Sequence, residues 1–206
     1  MDFCPTLPRN SPAITMSHRN QPTPPSHPRL TTQRLVLRAF QLDDAEAVQR
    51  LAGDRAIAST TCSIPHPYPD GAAEQWIRGQ PEAYAEGISV TFAITLRKTD
   101  ELVGAIGFNV NQKNDWAELG YWIGQPHWGR GYATEALRAL IPWTFDTFPL
   151  NRLQACHFTR NPASGRVMIK AGMSHEGILR QRVKKWGVFE DIAIYSILRP
   201  ELAGLS

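Results

Sequence analysis

Glu118-Leu-Gly120-Tyr-Trp-Ile-Gly-Gln-Pro-His-Trp128-Gly-Arg-Gly-Tyr-Ala-Thr134-Glu-Ala-Leu137 runs as strand, turn and helix start without a break. Gly129, Gly131 and Ala133 stand at alternate positions in the turn. Residues this small let a backbone approach an anion closely. The unpaired N–H groups of the first helical turn then point at the anion, aided by the helix dipole. A pyrophosphate suits this geometry, and Thr134 adds a hydroxyl. The plainer alternative is a tight turn that needs glycine only for its backbone angles. Two other phosphate loops are excluded. The Gly-Lys-Ser/Thr of a Walker loop is missing, and Thr134 stands where a dinucleotide fingerprint needs its third glycine.

Toward the N-terminus, residues 89–97, 102–110 and 116–123 read as three strands in quick succession. Val90, Phe92, Ile94 and Leu96 alternate in the first of them. A hairpin-like turn at 98–101 and a polar turn at 111–115 connect them. Before them the pattern predicts a strand over 34–38 and a helix from Asp43-Asp44 with Ala45, Val48 and Leu51 on one face. A proline-rich loop over 61–71 and a second helix over 72–86, kinked by Pro81, follow. Toward the C-terminus a long helix over 131–148, interrupted by Pro142, leads to a strand over 153–159. Asn161-Pro162 opens a short helix that Ala171-Gly172 stops. Strands over 176–183 and 191–198 close the chain, joined through Trp186-Gly187. Antiparallel hairpins combined with one crossover around the long helix make this an α+β protein with a mixed sheet, neither a Rossmann nor a barrel alternation.

The chain has 206 residues, 42% hydrophobic and 20% charged, which suits one domain with a tail. Seven of its 16 prolines lie in residues 1–28, which read as a disordered, partly polyproline tail. A domain over 29–200 and a short tail over 201–206 complete the organisation. Cys4, Cys62 and Cys156 are scattered without CxxC spacing, so neither disulfide framework nor metal site is suggested, and a cytoplasmic setting is the default. A net charge of +3 is too mild to point to nucleic acid. No apolar stretch reaches the roughly 18 residues of a membrane span. The chain is expected to act as a monomer or homodimer.

The flanking residues sharpen the reading of the turn. The segment resembles the acetyl-CoA motif of the GNAT superfamily of N-acetyltransferases, Gln/Arg-x-x-Gly-x-Gly/Ala. Trp128 stands at the Gln/Arg position, a departure, with Gly131 and Ala133 at the other two. Thr32-Gln-Arg-Leu-Val-Leu-Arg38, Gly120-Tyr-Trp-Ile123, Trp128 to Ala136, Asn161-Pro-Ala-Ser164, Lys170-Ala-Gly-Met173 and Asp191-Ile-Ala-Ile-Tyr-Ser196 together resemble the ribosomal-protein-N-acetyltransferase (Rim) branch. The likeness implies a GNAT-type, mostly antiparallel sheet with a splayed central strand pair flanked by helices, and acetyl-CoA as co-substrate without a metal. The backbone of Tyr121, Trp122 and Ile123 would then pair with the pantetheine arm. The amides of Trp128, Gly129, Arg130, Gly131, Tyr132, Ala133 and Thr134 would hold the pyrophosphate. Asn161 matches a position that contacts the cofactor arm, and Ser164 one whose hydroxyl approaches the CoA sulfur. Arg130, Arg166 and Lys170 stand either near the adenosine phosphates or as solvated surface charge.

The implied chemistry is attack of a neutral amine on a thioester. It needs a deprotonated amine, a stabilised oxyanion and a protonated leaving thiolate. A backbone N–H of residues 121–123 suits the oxyanion and Ser164 the thiolate. Glu118, on the strand leading into the site, is the first candidate base, and strand parity decides which face it takes. His127 and His157 are alternatives, and Glu135 reads as helix-start structure. The stretch 61–76, with His66, Tyr68 and Trp76, is expected to line the acceptor side. The acceptor would be a protein N-terminal amine or a small-molecule amine such as an antibiotic or polyamine. A non-catalytic CoA-binding sensor is the other alternative.

Overall fold

An eight-stranded sheet in the order β1-β2-β3-β4-β5-β6-β8-β7 carries helices on both faces in this computed structural model, which describes residues 27–204. The proline-rich stretch therefore lies outside the described residues up to position 26. His27 is already docked, its ring 4.7 Å from that of Phe92 and its Nε2 3.1 Å from the Thr91 carbonyl. The strands are β1 (Leu30–Thr31), β2 (Leu35–Arg38), β3 (Ser89–Leu96), β4 (Leu102–Asn111), β5 (Trp116–Ile123), β6 (Arg152–Phe158), β7 (Ser174–Lys185) and β8 (Val188–Leu198). All neighbours pair antiparallel except β5 and β6. That pair is parallel because helix α5 (Tyr132–Thr147) carries the chain back across the sheet between them.

Two apolar layers enclose the sheet. On one face Phe92, Ile106, Phe108 and Leu119 pack with Leu137, Leu140, Ile141 and Phe145 of α5, all buried. On the other, α1 (Ala45–Ala52), α2 (Arg55–Thr60) and α3 (Ala72–Arg78) close over Ala93, Ala105 and Trp122 through Val48, Ile57 and Ile77. Each large apolar side chain buried this way contributes about 1.5–3 kcal/mol. No helix among the described residues is long and apolar enough to cross a membrane.

Local signals and tertiary packing disagree in four places. Pro142 does not interrupt α5, which runs through it to Thr147. The lost N–H bond is outweighed by burial of Leu140, Ile141 and Phe145 on the same face. The helix expected over 72–86 is divided at Gly79 into α3 and α4 (Gln80–Ala85), with Pro81 in the first turn of α4, where its missing N–H costs least. An extra helix, α2, starts at Asp54, whose carboxylate accepts the Ala56 amide at 2.7 Å. The last hairpin is longer than its apolar pattern. It closes on a two-residue turn with positive φ at both Trp186 (48°) and Gly187 (86°).

The three strands at the far edge are tied together by one carboxylate. Glu176 of β7 accepts Arg152 Nη1 of β6 at 2.6 Å and Ser196 Oγ of β8 at 2.7 Å. The Arg152 bonds, and secondarily the Ser196 hydroxyl, hold the Glu176 carboxyl at about 2 against the opposing effect of burial. A carboxyl whose folded pKa is depressed stabilises the fold above its unfolded value of about 4.5 and loses that contribution as pH falls toward 2. Urea unfolding between pH 5 and pH 3 is expected to lose less stability in Glu176→Gln than in the parent protein. Equal losses in the two would show that the tie is not formed in solution.

Candidate active site

Strands β5 and β6 share a register only from Trp116↔Arg152 to Leu119↔Ala155. Beyond that point they part, while β5 stays paired to β4 as far as Ile123↔Gly104. The Gly124 amide donates to the Val103 carbonyl at 2.9 Å. Antiparallel alternation therefore turns the peptide groups of Trp122 and Gly124 toward β4 and those of Tyr121 and Ile123 toward the gap. A cavity of about 400 Å³ fills the gap and passes from one face of the sheet to the other. Tyr121 acts as a wedge. Its hydroxyl lies 2.7 Å from Ser164 Oγ and donates to the Ser164 carbonyl at 3.1 Å, linking β5 to helix α6 (Pro162–Lys170) across the gap. Burial pushes the Tyr121 phenol far above its ordinary range, partly opposed by the Ser164 bond, so the hydroxyl stays protonated.

The glycine-rich turn borders one mouth of this cavity. Gly129 (φ 74°) and Gly131 (φ 78°) hold the left-handed conformation that glycine alone adopts without strain. The first backbone bond into α5 is Glu135 N–H to the Gly131 carbonyl, at 3.1 Å. Among the described residues the amides from Gly129 to Thr134 donate to no protein acceptor. The free run begins one residue later than the sequence suggests. The Trp128 amide is taken by the Gln125 carbonyl at 3.1 Å, because Gln125–His127 forms a 3-10 turn. Trp128 contributes its side chain instead. The indole N–H donates to the Ile123 carbonyl at 2.5 Å, which pins the turn to β5. Consecutive unpaired amides at a helix start, on a backbone bare of side chains, fit an anionic diphosphate.

Asn161 and Ser164 lie at the start of α6 on the same cavity, with Arg166 and Lys170 farther along that helix. Arg130 is exposed and is not among the lining residues. His157 packs beneath α6. Its Nδ1 donates to the Phe158 carbonyl at 2.8 Å, and Nε2 has no hydrogen-bond partner among the described residues. Burial lowers its pKa, so the ring is neutral. Gly165 makes this close packing possible, since a Cβ there would stand 2.6 Å from His157 Nε2 and 2.9 Å from the Tyr195 hydroxyl. His127 also borders the cavity, beside Glu101 at 3.6 Å, and burial lowers its pKa as well.

The opposite mouth has a different character. Ile57 and Thr60 of α2, residues 61–64, Cys156, Phe158 and Ile192 line it. Strand parity assigns Glu118 to this side. Leu119 and Ile123 pack toward α5, whereas Trp122 packs toward α1 to α3. Glu118 is only 5% exposed and accepts Cys156 Sγ at 3.7 Å, one residue removed from the cavity wall. The 61–64 segment is held in place by Lys185, whose Nζ donates to the Ile64 carbonyl at 3.0 Å, and Arg160 Nη2 bonds the Ser59 carbonyl at 2.5 Å.

Three aromatic residues expected here pack elsewhere. Tyr68 and Trp76 belong to the layer over α1 and α3, with Trp76 against Phe40 at 4.8 Å, and His66 is exposed beside Trp186. The loop carries them away from the cavity because it must first close over α1. The Tyr121 hydroxyl, Cys156, Ile192 and α2 are site features that local pattern did not reveal. Asp54, as a helix cap, was the one available signal for α2.

Comparison with known proteins identifies the family. Residues 34–174 match the family model described as an acetyltransferase (GNAT) domain. The N-acetyltransferase p20 of Bacillus licheniformis is 34% identical over 177 residues, covering 85% of this chain and 98% of that protein. The ribosomal-protein-serine acetyltransferase of Escherichia coli is 32% identical over 121 residues, 58% of this chain and 66% of that one. Among solved structures, Mycobacterium smegmatis RimJ in complex with CoA-disulfide shares the fold with a TM-score of 0.75 at 24% identity, covering 87% of this chain and 90% of that chain. A helix start with open amides beside a parted strand pair, on a sequence that matches the acetyltransferase model over most of its domain, makes this chain a member of the GNAT family of N-acetyltransferases, with Rim-type ribosomal-protein acetyltransferases among its relatives.

Proposed function

We propose that this N-acetyltransferase moves the acetyl group of acetyl-CoA to the α-amino group of a protein or peptide N-terminus. The observation that carries the cofactor half of this reading is the run of free amides from Gly129 to Thr134 at the end of the parted strands. Those amides receive the diphosphate. The Tyr121 peptide groups and the Ile123 N–H pair with the pantetheine arm, the Ile123 carbonyl being taken by the Trp128 indole, and Asn161 contacts the same arm. The whole pocket opens toward a second mouth where an acceptor enters.

In the reaction, the amine nitrogen attacks the thioester carbonyl and the C–S bond breaks. The Tyr121 or Ile123 amide, facing the gap, stabilises the oxyanion. Ser164 Oγ, oriented by the Tyr121 hydroxyl at 2.7 Å, gives its proton to the departing thiolate and regains one from solvent as CoA leaves. Glu118, at the acceptor side behind Cys156, takes the amine proton through an intervening water.

Two features favour an α-amine over a polyamine or a polycationic antibiotic. The acceptor mouth is mostly apolar, no Asp or Glu is among the described residues that line the cavity, and Lys185 of the last hairpin donates to the Ile64 carbonyl at its edge. A polycation therefore finds no cluster of carboxylates in the cavity wall to hold it. An α-amine with pKa about 7.8 is also roughly 14% neutral at pH 7, whereas a lysine near 10.4 is under about 0.1% neutral, so a weakly based site serves the former better. The ribosomal-protein-serine acetyltransferase among the relatives supports the same acceptor class.

Three outcomes are expected. Acetyl-CoA at about 100 times its Kd stabilises the fold by about 2.7 kcal/mol, seen as a rise in Tm, and Gly131→Val abolishes the rise because its φ of 78° strains any β-branched residue; an undiminished rise in that variant would remove the loop from the site. Ser164→Ala lowers kcat by about 10- to 100-fold with acetyl-CoA KM changed less than about threefold, and the reverse pattern would make Ser164 a binding residue only. In an acceptor screen, short peptides with free N-termini exceed spermidine and aminoglycosides in kcat/KM by at least about tenfold; a preference for the polyamines would overturn the acceptor assignment.

A further inference from the structure

We propose that Arg34, anchored by Glu135, is a positioning residue that aims the Gly131 amide into the cofactor cleft. The inference rests on the reading of residues 129–134 as a diphosphate site and adds what holds that site in shape. Arg34 lies in the turn between β1 and β2, about a hundred residues away in sequence. Its Nη1 donates to the Arg130 carbonyl at 2.9 Å, and its guanidinium lies 5.0 Å over the Tyr132 ring. A trans peptide is planar, with C=O and the next N–H pointing in opposite directions. Holding the Arg130 carbonyl on the Arg34 side therefore turns the Gly131 N–H away from it. Gly131 lines the cavity and Arg130 does not, so the far side of that peptide is the cleft.

The Trp128 indole fixes the start of the turn to β5, but no residue of the turn itself bonds the Arg130–Gly131 peptide among the described residues. Both glycines can flip a neighbouring peptide at little cost, and a Cβ at Gly129 would meet nothing within 4 Å. Glu135, one turn into α5, supplies the fixed end. Its carboxylate accepts Arg34 Nε at 2.6 Å on one oxygen, and on the other the Arg34 amide at 2.8 Å and the Thr32 hydroxyl at 2.6 Å. Glu135 is also largely covered, its side chain 16% exposed. Three donors from one tight turn thus converge on a carboxylate that belongs to the cofactor helix. Because Glu135 neutralises Arg34, the contribution of Arg34 is one of geometry and not of net charge.

The test compares acetyl-CoA with S-acetylpantetheine, a thioester that lacks the diphosphate, using a fixed peptide acceptor. The readout is the ratio of kcat/KM for the two donors in the parent protein, Arg34→Lys and Glu135→Gln. Arg34→Lys keeps the charge but cannot reach both acceptors, and Glu135→Gln leaves Arg34 charged but unanchored. Both variants are expected to lower the ratio about tenfold. A raised ratio in Glu135→Gln would mean that Arg34 acts as a counter-charge, and an unchanged ratio, with both donors losing equally or neither losing, would mean that the contacts only support the fold. Either result overturns the proposal. A ratio near one in the parent protein would instead remove the diphosphate site itself, and the clamp with it.

Discussion

Parallel strands β5 and β6 exchange hydrogen bonds over four residues and then diverge, and every feature of the site depends on that divergence. A sheet that stayed closed would satisfy the Tyr121 and Ile123 peptide groups and leave no passage between its faces. The strands are kept apart by packing on both sides of the gap. Tyr121 reaches α6 through Ser164, and Gly165 lets α6 settle on His157 and Tyr195. The indole of Trp128 meanwhile engages the Ile123 carbonyl, which would otherwise end the strand unpaired. An open strand pair exposes backbone donors and acceptors, and these are useful only where a ligand completes them.

The two mouths of the gap divide the chemistry by face. Odd-numbered residues of β5 face α5 and α6, the side of the amide run and of Ser164. Even-numbered residues face the opposite layer, where Glu118 and the Cys156 side chain meet. In the proposed reaction donor and acceptor substrates approach the same opening from opposite sides, and the sheet itself separates the carboxylate that would accept a proton from the hydroxyl that would give one. Separation of this kind keeps the protonation states of the two groups independent.

Long-range bonds hold the loops that frame the opening. Glu135 and Arg34 join the glycine-rich turn to the first hairpin, and Lys185, together with Arg160 through Glu190 of β8, joins the last hairpin to residues 59–64. Each is a charged side chain bonded to backbone carbonyls or to one carboxylate, an arrangement that fixes loop geometry more strictly than apolar contact does. The domain model of the family, at residues 34–174, begins within the first of these ties.

The amino-acid sequence by itself determined the order of the seven longer strands, the mixed sheet, the position of the glycine-rich turn and the helix starts at Tyr132 and Pro162. These follow from local physics: alternation, glycine where φ is positive, proline where an N–H is not needed. The tertiary structure alone decided which face Glu118 takes, that the Trp128 amide is already occupied, that Tyr68 and Trp76 pack into the helical layer, and that α5 runs unbroken through Pro142. It also brought Tyr121 to Ser164 and Arg34 to Glu135 across 43 and 101 residues of chain. The reason is one of range. A residue's backbone preference is written in its neighbours, whereas the partner of a side chain depends on register and packing set by distant strands, where a shift of one residue reverses every face.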